Sequence, residues 1–396
     1  MATNYNASIV RSSLVMYYDM NNTQKSWLGA PATNYIPNPY ASYNGSSFVL
    51  GYNYQNLGAT YTYRTGVDNP VNAPGVLEYY TGTSGYKYFS IDSTSLPSTT
   101  TYTFSYYARL VGAPTGGNNA PIDSQLWRAN GSDRSVTGDW NPTFTFDWKR
   151  YSTSGPAEAS TILQYFPVHS GNIIGGYTIQ YCGFQIEPGS YATPFVVGTR
   201  SNTQAIVDLA GNNTLTATSL TYNSDNTFSF NGTSGYIACG NLGTFYPQGT
   251  VSFWMNSAAI ASYPNPFATH FQGGNAGFRF EGRSDGNFGM VVGNDAGTYT
   301  SHTFISSGMQ ANTWYNITLT WIVGSNIAVG YLNGVQVFNE AQTYWATTMP
   351  SVTIGNGFSA SRYWNGKISA TQIYNRSLSA TEVAQNFNAL RGRYGI

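Results

Sequence analysis

The chain has 396 residues with 9% charged, against about 25% in an ordinary soluble domain, and its seventeen basic side chains balance seventeen acidic ones. Net zero charge excludes a nucleic-acid binder working through a basic face, and a polybasic membrane-surface protein. An aromatic content of 16% excludes disorder, and no stretch approaches the eighteen apolar residues of a membrane-spanning helix.

The opening MATNYNASIV lacks the basic and then apolar regions of a secretory signal. The Asn-x-Ser/Thr triplets at Asn44, Asn130, Asn231 and Asn316 are therefore expected to be unmodified. SSLVMYYDM (12–20) reads as a strand, but NNTQKSWLGAPA separates it from the region opening NYIPNP at Asn34. Thr101–Leu110 alternates aromatic and polar residues, as a half-buried strand requires. Trp127, Trp140, Trp148 and Tyr151 cluster soon after. FDWKRY sets Phe146 and Trp148 on one face, so one of them should be buried. Glu187–Arg200 is rich in Pro and Gly and reads as a linker.

DLAGNN (208–213) then opens a second run of strands: 251–256, 278–282, 287–293 and 352–357. Within Trp314–Val323, Ile317, Leu319, Trp321 and Val323 share one face, with Thr318 and Thr320 on the other. Asn333-Gly334 lies between two alternating runs and supplies the two positive φ values of a type I′ turn. Ser379-Ala380-Thr381-Glu382 is a capping box, and Val383, Phe387 and Leu390 recur at helical spacing up to a stop at Gly392. Meander spacing with one helix predicts an all-β protein of two jelly-roll or β-sandwich domains and a short C-terminal α-helix within 379–391. Cys182 and Cys239 belong to no CxxC and read as small buried thiols in different domains.

The segments DLAGNN, FSFNGTSGYIACG (228–240), GTVSFWMN (249–256), WYNITLTW, YLNGVQV and the closing 363–396 resemble the concanavalin A-like, laminin-G-type jelly roll. The NxLRGRYG-like tail is similar to those on structural proteins of tailed bacteriophages. In that group a strand resembling LVMYYDM sits just before the DLSGN-like segment, whereas here Asp19 and Asp208 lie far apart in sequence. The resemblance thus implies three parts. Residues 1–33 complete the C-terminal jelly roll, 34–196 are an inserted β-sandwich, and 197–396 are the jelly roll itself. NYIPNP and YCGFQIEPGSYATPF (181–195) give the insert a weaker resemblance to carbohydrate-binding modules of the galactose-binding-like type.

Catalysis finds little support. Glycosidases need two carboxylates about 5–10 Å apart, and Glu281 with Asp285 in FEGRSDGNFG, spanning a strand end and a turn, reads as turn-forming carboxylates. His169, His270 and His302 have no nucleophile signature beside them. FQGGNAG and VGAPTGGNN lack the strand-to-helix setting of a phosphate loop. The resemblance allows structural calcium, for which Asp208, Asn212, Asp285 and Asp295 are the loop candidates, although no spacing singles them out. Sugar binding is the better-supported chemistry, since pyranose C–H faces pack on aromatic rings while amides and Arg bond hydroxyls. Its candidates are Trp127, Trp140, Trp148 and Tyr151 in the insert, and Trp345, Arg362, Tyr363 and Trp364 in the second domain.

The resemblance implies a non-enzymatic virion protein of a tailed phage, a capsid decoration, fibre or tail-peripheral component assembled in the host cytoplasm. It would bind other virion proteins, with self-association and host-surface glycans as further partners, and neither nucleic acid nor membrane. The alternative is a glycan-binding adhesin acting in host recognition. So few charges predict partner contacts made by neutral hydrogen bonds and aromatic packing, resistant to about 0.5 M salt.

Overall fold

The computed structural model describes residues 8–23, 25–41, 53–54, 60–82, 87–98, 100–113, 125–128, 137–138, 143–157, 163–170, 176–260, 263–270, 276–283, 285–357, 359 and 361–396. The chain divides into two compact units, Met1–Ala30 with Ser201–Ile396, and Pro31–Arg200. Both are built from strands, and helix is confined to Asn202–Ala205, Ala380–Leu390 and short 3-10 turns among the described residues. No helix of the described residues is long and apolar enough to cross a membrane.

The first unit packs an eight-stranded sheet against a seven-stranded one. Gln248–Ser257 lies at the centre of the larger sheet, between Trp314–Ile322 and Asn365–Tyr374, and every pairing is antiparallel. Leu14–Tyr18 pairs with the 371–374 end of Asn365–Tyr374, so a strand from the start of the chain completes a sheet otherwise made far downstream. Its outward side is closed by DLAGNN. The Tyr17 N–H donates to Asp208 Oδ1 at 2.8 Å, and the Leu209 N–H donates to the Tyr17 carbonyl at 2.7 Å.

Phe253, Leu319 and Trp321 from one sheet meet Phe267, Phe278, Phe280 and Met290 from the other in a single core, joined by Met16, Tyr18, Met20 and Trp27. A bulge at Ala370 (φ +47°) shifts the register against Gln248–Ser257, so Ile368 and Ile373 both reach this core despite their odd spacing. The Asn333-Gly334 turn has φ of +50° and +77° and joins strands paired from Leu332 to Val335. The capping box also forms, with Ser379 Oγ accepting from the Glu382 N–H. The helix is not ended by a left-handed Gly392; it runs into a 3-10 turn over Arg391–Arg393.

That helix covers the second face of the eight-stranded sheet, where Trp254 stacks on Phe387 and on Tyr394, ring centroids 5.5 and 4.1 Å apart. Both faces of the central strands are therefore buried. Thr318 and Thr320, placed on the polar side by alternation, are each 2% exposed. Val323 leaves the strand for a 3-10 turn.

The second unit has a six-stranded and a four-stranded antiparallel sheet. Its core gathers Phe104, Tyr106, Phe144, Tyr151, Tyr181 and Phe184. The motifs at its two ends are structural clips. Asn34 donates from Nδ2 to the Phe184 and Val196 carbonyls, both at 2.9 Å, while its Oδ1 accepts from the Ile36 and Ile186 N–H groups. Glu187 accepts from Gln185 Nε2, from the Thr193 N–H and from Thr193 Oγ1, which binds the returning segment to the sheet. Burial pushes the Glu187 carboxyl above its ordinary range despite these donors.

Candidate functional site

Along Gly277–Gly282, Phe278 and Phe280 point into the core, so period-two alternation sends Arg279 and Glu281 to the opposite face of the seven-stranded sheet. The register sets Thr353, Ala268, Arg279, Val291 and Ser301 in one row across that face. Arg279 and Glu281 rise from a floor of small side chains.

Glu281 is 4% exposed and gathers three guanidinium groups. Arg279 Nε donates to its Oε2 at 3.2 Å, Arg362 Nη1 donates to the same oxygen at 3.1 Å, and Arg283 Nη2 lies 3.6 Å from Oε1. Burial holds Arg279 below its ordinary value, opposed by Glu281 and reinforced by Arg362. One carboxylate among three guanidiniums leaves two positive charges in excess.

Two segments bring the outer members in. The Tyr263 N–H donates to the Gly282 carbonyl at 2.8 Å, and the Asn265 N–H donates to the Arg362 carbonyl at 2.9 Å. Tyr263 has φ +65° and is 47% exposed, and the Arg362 guanidinium lies 4.8 Å from its ring centroid. Tyr363, half-buried, has its ring 6.4 Å from that of Tyr236. Nearby in sequence, Asn356 is fully buried, and its Nδ2 has no acceptor among the described residues. The arrangement sets a net-positive guanidinium cluster beside the exposed Tyr263 ring, chemistry suited to a polyhydroxylated ring. Both Glu281 oxygens are occupied by guanidiniums and both Asp285 oxygens by Asn287, so the pair is not set out as a glycosidase acid and base.

Of the first unit's candidates, the structure brings Arg362 to this face, with Tyr363 next to it in sequence, and takes Trp364 and Trp345 elsewhere. Trp364 is 0% exposed because it belongs to the core between the sheets, so it cannot contact a sugar. Trp345 is half-buried, packed against Phe245, and its Nε1 donates to the Gln342 carbonyl. In the second unit Tyr151 is 1% exposed and stacks on Tyr106 in the core. Neither member of the FDWKRY pair is buried. Phe146 is 57% exposed, and Trp148 is half-buried with Arg109 4.9 Å from its ring. Trp127 lies on the Gln125–Arg128 strand; its side chain, and the whole of Trp140, lie outside the described residues.

The calcium candidates do not converge. Asp208 accepts N–H donors from Tyr17, Ala210, Asn212 and Asn213, Asn212 Nδ2 donates to the Val15 carbonyl, and Asp295 accepts from Thr347. Among the described residues no three His, Cys, Asp or Glu side chains are grouped to hold a metal. His302 is sandwiched between Glu340 and Gln342 at 2.6 and 2.8 Å, and His270 touches Thr269.

Tyr263, Arg279 and Arg283 escaped the sequence reading. The signal was available in FRFEGR, because alternating charges in a strand of so uncharged a chain mark a polar face.

Residues 231–384 match the family described as the concanavalin A-like lectin/glucanases superfamily. The first unit carries a concanavalin A-like, laminin-G-type jelly roll. Among solved structures, the chain is similar to the botulinum neurotoxin serotype D binding domain, at 19% identity over 48% of this chain and 50% of that one, TM-score 0.40. It is similar also to the botulinum neurotoxin type G receptor binding domain, at 16% over 46% and 48%, TM-score 0.38. The serotype D ligand binding domain in complex with N-acetylneuraminic acid matches at 18% over 48% and 49%, TM-score 0.38. The chain thus spans about half the length of these solved chains. Comparison with curated proteins gave no match.

Proposed function

We propose that the protein is a non-enzymatic, lectin-like glycan binder, and that the jelly roll holds its ligand at the Arg279–Glu281–Arg362 face. The observation that carries this reading is the guanidinium cluster on one buried carboxylate, with the Arg362 guanidinium over the exposed Tyr263 ring. Tyr263 supplies apolar ring contact, and the partly exposed Arg362 guanidinium beside that ring meets hydroxyls. Glu281 is a positioning residue that fixes the two guanidiniums. A glycan array with the full chain tests this. Tyr263→Ala should lose the signal at unchanged melting temperature, and a blank array for the unmodified chain would overturn the reading.

The setting we propose is a tailed-phage virion, supported by the resemblance of the LRGRYG tail alone. The protein then serves as a surface or tail-peripheral component, with the second unit an inserted carbohydrate-binding-module-like cassette. Mass spectrometry of purified particles that failed to find the chain would remove this setting while leaving the glycan site standing.

A further inference from the structure

A second feature of the first unit lies away from the guanidinium face. A cavity of about 1020 Å³ opens between the N-terminal segment around Ser8–Lys25 and the end of the C-terminal helix with its tail, Asn388–Ile396. Arg11, Lys25, Arg391 and Arg393 line it, against Asp19 as the one acidic side chain. Asp19 is 1% exposed and already satisfied, accepting from Arg393 Nη1 at 2.7 Å, from the Tyr17 hydroxyl at 2.9 Å and from the Asn21 N–H at 3.0 Å.

The other three cations have no carboxylate within 4 Å among the described residues. Every other arginine of this unit does: Arg279, Arg283 and Arg362 on Glu281, Arg376 on Glu382, and Arg393 on Asp19. Lys367 lies in the field of Asp225. The chain has only seventeen basic residues and no net charge. Yet among the described residues three of this unit's four lysines and arginines without a carboxylate within 4 Å line a single cavity, Lys367 being the fourth. Like charges drawn together cost free energy through mutual repulsion. Arg391 recovers part of it at the helix C-terminus beside the Phe387 ring, whereas the side chains of Arg11 and Lys25 have no ion pair or ring contact among the described residues. Arg11, Lys25 and Arg391 are all exposed.

We infer that this cavity binds an acidic peptide segment of a partner protein. The rest of the lining is mixed, aliphatic Ile9, Leu14 and Leu209 beside polar Ser8, Asn22 and Asn388. It suits a peptide better than a sugar ring because the one aromatic, Tyr17, has its hydroxyl tied to Asp19. The volume stands at the upper end of the roughly 300–1,000 Å³ of small-ligand pockets, room for a short extended segment. Carboxylates of the segment pair with Arg11, Lys25 and Arg391, and its apolar side chains lie on Ile9, Leu14 and Leu209. This contact departs from the salt-resistant, neutral association that the composition implies, and it is independent of the glycan site.

The test is fluorescence anisotropy on the full chain, with a labelled peptide carrying four glutamates spaced by leucine and glycine, and a matched glutamine peptide. The glutamate peptide should bind at low salt and lose about tenfold or more in affinity at 0.5 M, where the Debye length is about 4 Å. Arg391→Gln should weaken it several-fold. The Arg11→Gln, Lys25→Gln, Arg391→Gln combination should abolish it with the melting temperature unchanged. Failure of the glutamate peptide to bind, equal binding of the glutamine peptide, or an unaltered affinity in the triple variant would each overturn the proposal. Displacement of the peptide by sialyllactose would also overturn it, because the cavity would then be an acidic-sugar site.

Discussion

Trp27 provides the sharpest test of how the first unit is assembled. It comes from the N-terminal segment, yet it is 1% exposed in a core made almost wholly of residues beyond 200. Its ring meets Phe228 edge-on at 4.7 Å and stacks on Tyr222 at 5.9 Å, and its Nε1 donates to the Asn226 carbonyl at 2.6 Å. Truncating a buried Trp to Ala costs about 3–5 kcal/mol, within which the lost hydrogen bond accounts for about 1 kcal/mol. For a unit of roughly 200 residues, each kcal/mol moves the melting temperature by about 2–4 °C, so Trp27→Ala should lower it by roughly 6–20 °C. Trp27→Phe keeps much of the apolar area and should lose about 1–2 kcal/mol. Hydrogen exchange followed by mass spectrometry localises the effect. Protection should fall in the Phe228–Asn231 and Asn365–Tyr374 strands, 200 and more residues from the substitution. If the loss is under 1 kcal/mol, or confined to residues 8–30, the N-terminal segment is an appendage and not part of this core.

Glu382 is held down to about 2, chiefly by the Arg376 guanidinium and also by the Ser379 N–H. A depressed folded-state value gives stability that is complete above the ordinary carboxylate range and disappears as pH falls towards 2. The C-terminal helix should loosen between about pH 4.5 and 2 in circular dichroism, and Glu382→Gln should remove that dependence while lowering stability at pH 7. Burial pushes the Cys182 thiol up to about 12 and Cys239 higher still, so neither should react with a thiol reagent in the native state. Rapid labelling at neutral pH would show that the enclosing sheets open. Gln342 is oriented by its Nε2 donating to the Tyr344 carbonyl, so its Oε1 faces His302 and the imidazole bridges Gln342 and Glu340. His302→Ala should therefore destabilise the first unit by about 2 kcal/mol or more in denaturant titrations, by leaving a cavity and unmatched polar groups.

Local chemistry was legible in the sequence wherever one residue type dictates one geometry. The Asn333-Gly334 hairpin and the Ser379–Glu382 capping box form where their residues require. What alternation could not reveal was the third layer. Alternation puts Thr318 and Thr320 on the face opposite Leu319 and Trp321, but the C-terminal helix covers that face, and no property of the strand itself records it. Parity also fails across a bulge, and Ala370 permits Ile368 and Ile373 to share a face. The aromatic candidates divided for the same reason. Trp364 and Tyr363 are neighbours in sequence just ahead of the Asn365–Tyr374 strand, yet one fills the core while the other is half-buried against Tyr236. Arg362 meets Tyr263 across some hundred residues, a pairing created by the fold.

The claim that glycan is held by the Arg279–Glu281–Arg362 cluster is tested most directly by the arginine Nε–H resonances in a titration of the full chain with a glycan selected on the array. The account predicts saturable shifts of Arg279 and Arg362, abolished in Tyr263→Ala, while Arg109, Arg150 and Arg391 stay unmoved. Saturable shifts confined to Arg109 and Arg150, or none at Arg279 and Arg362, would contradict it.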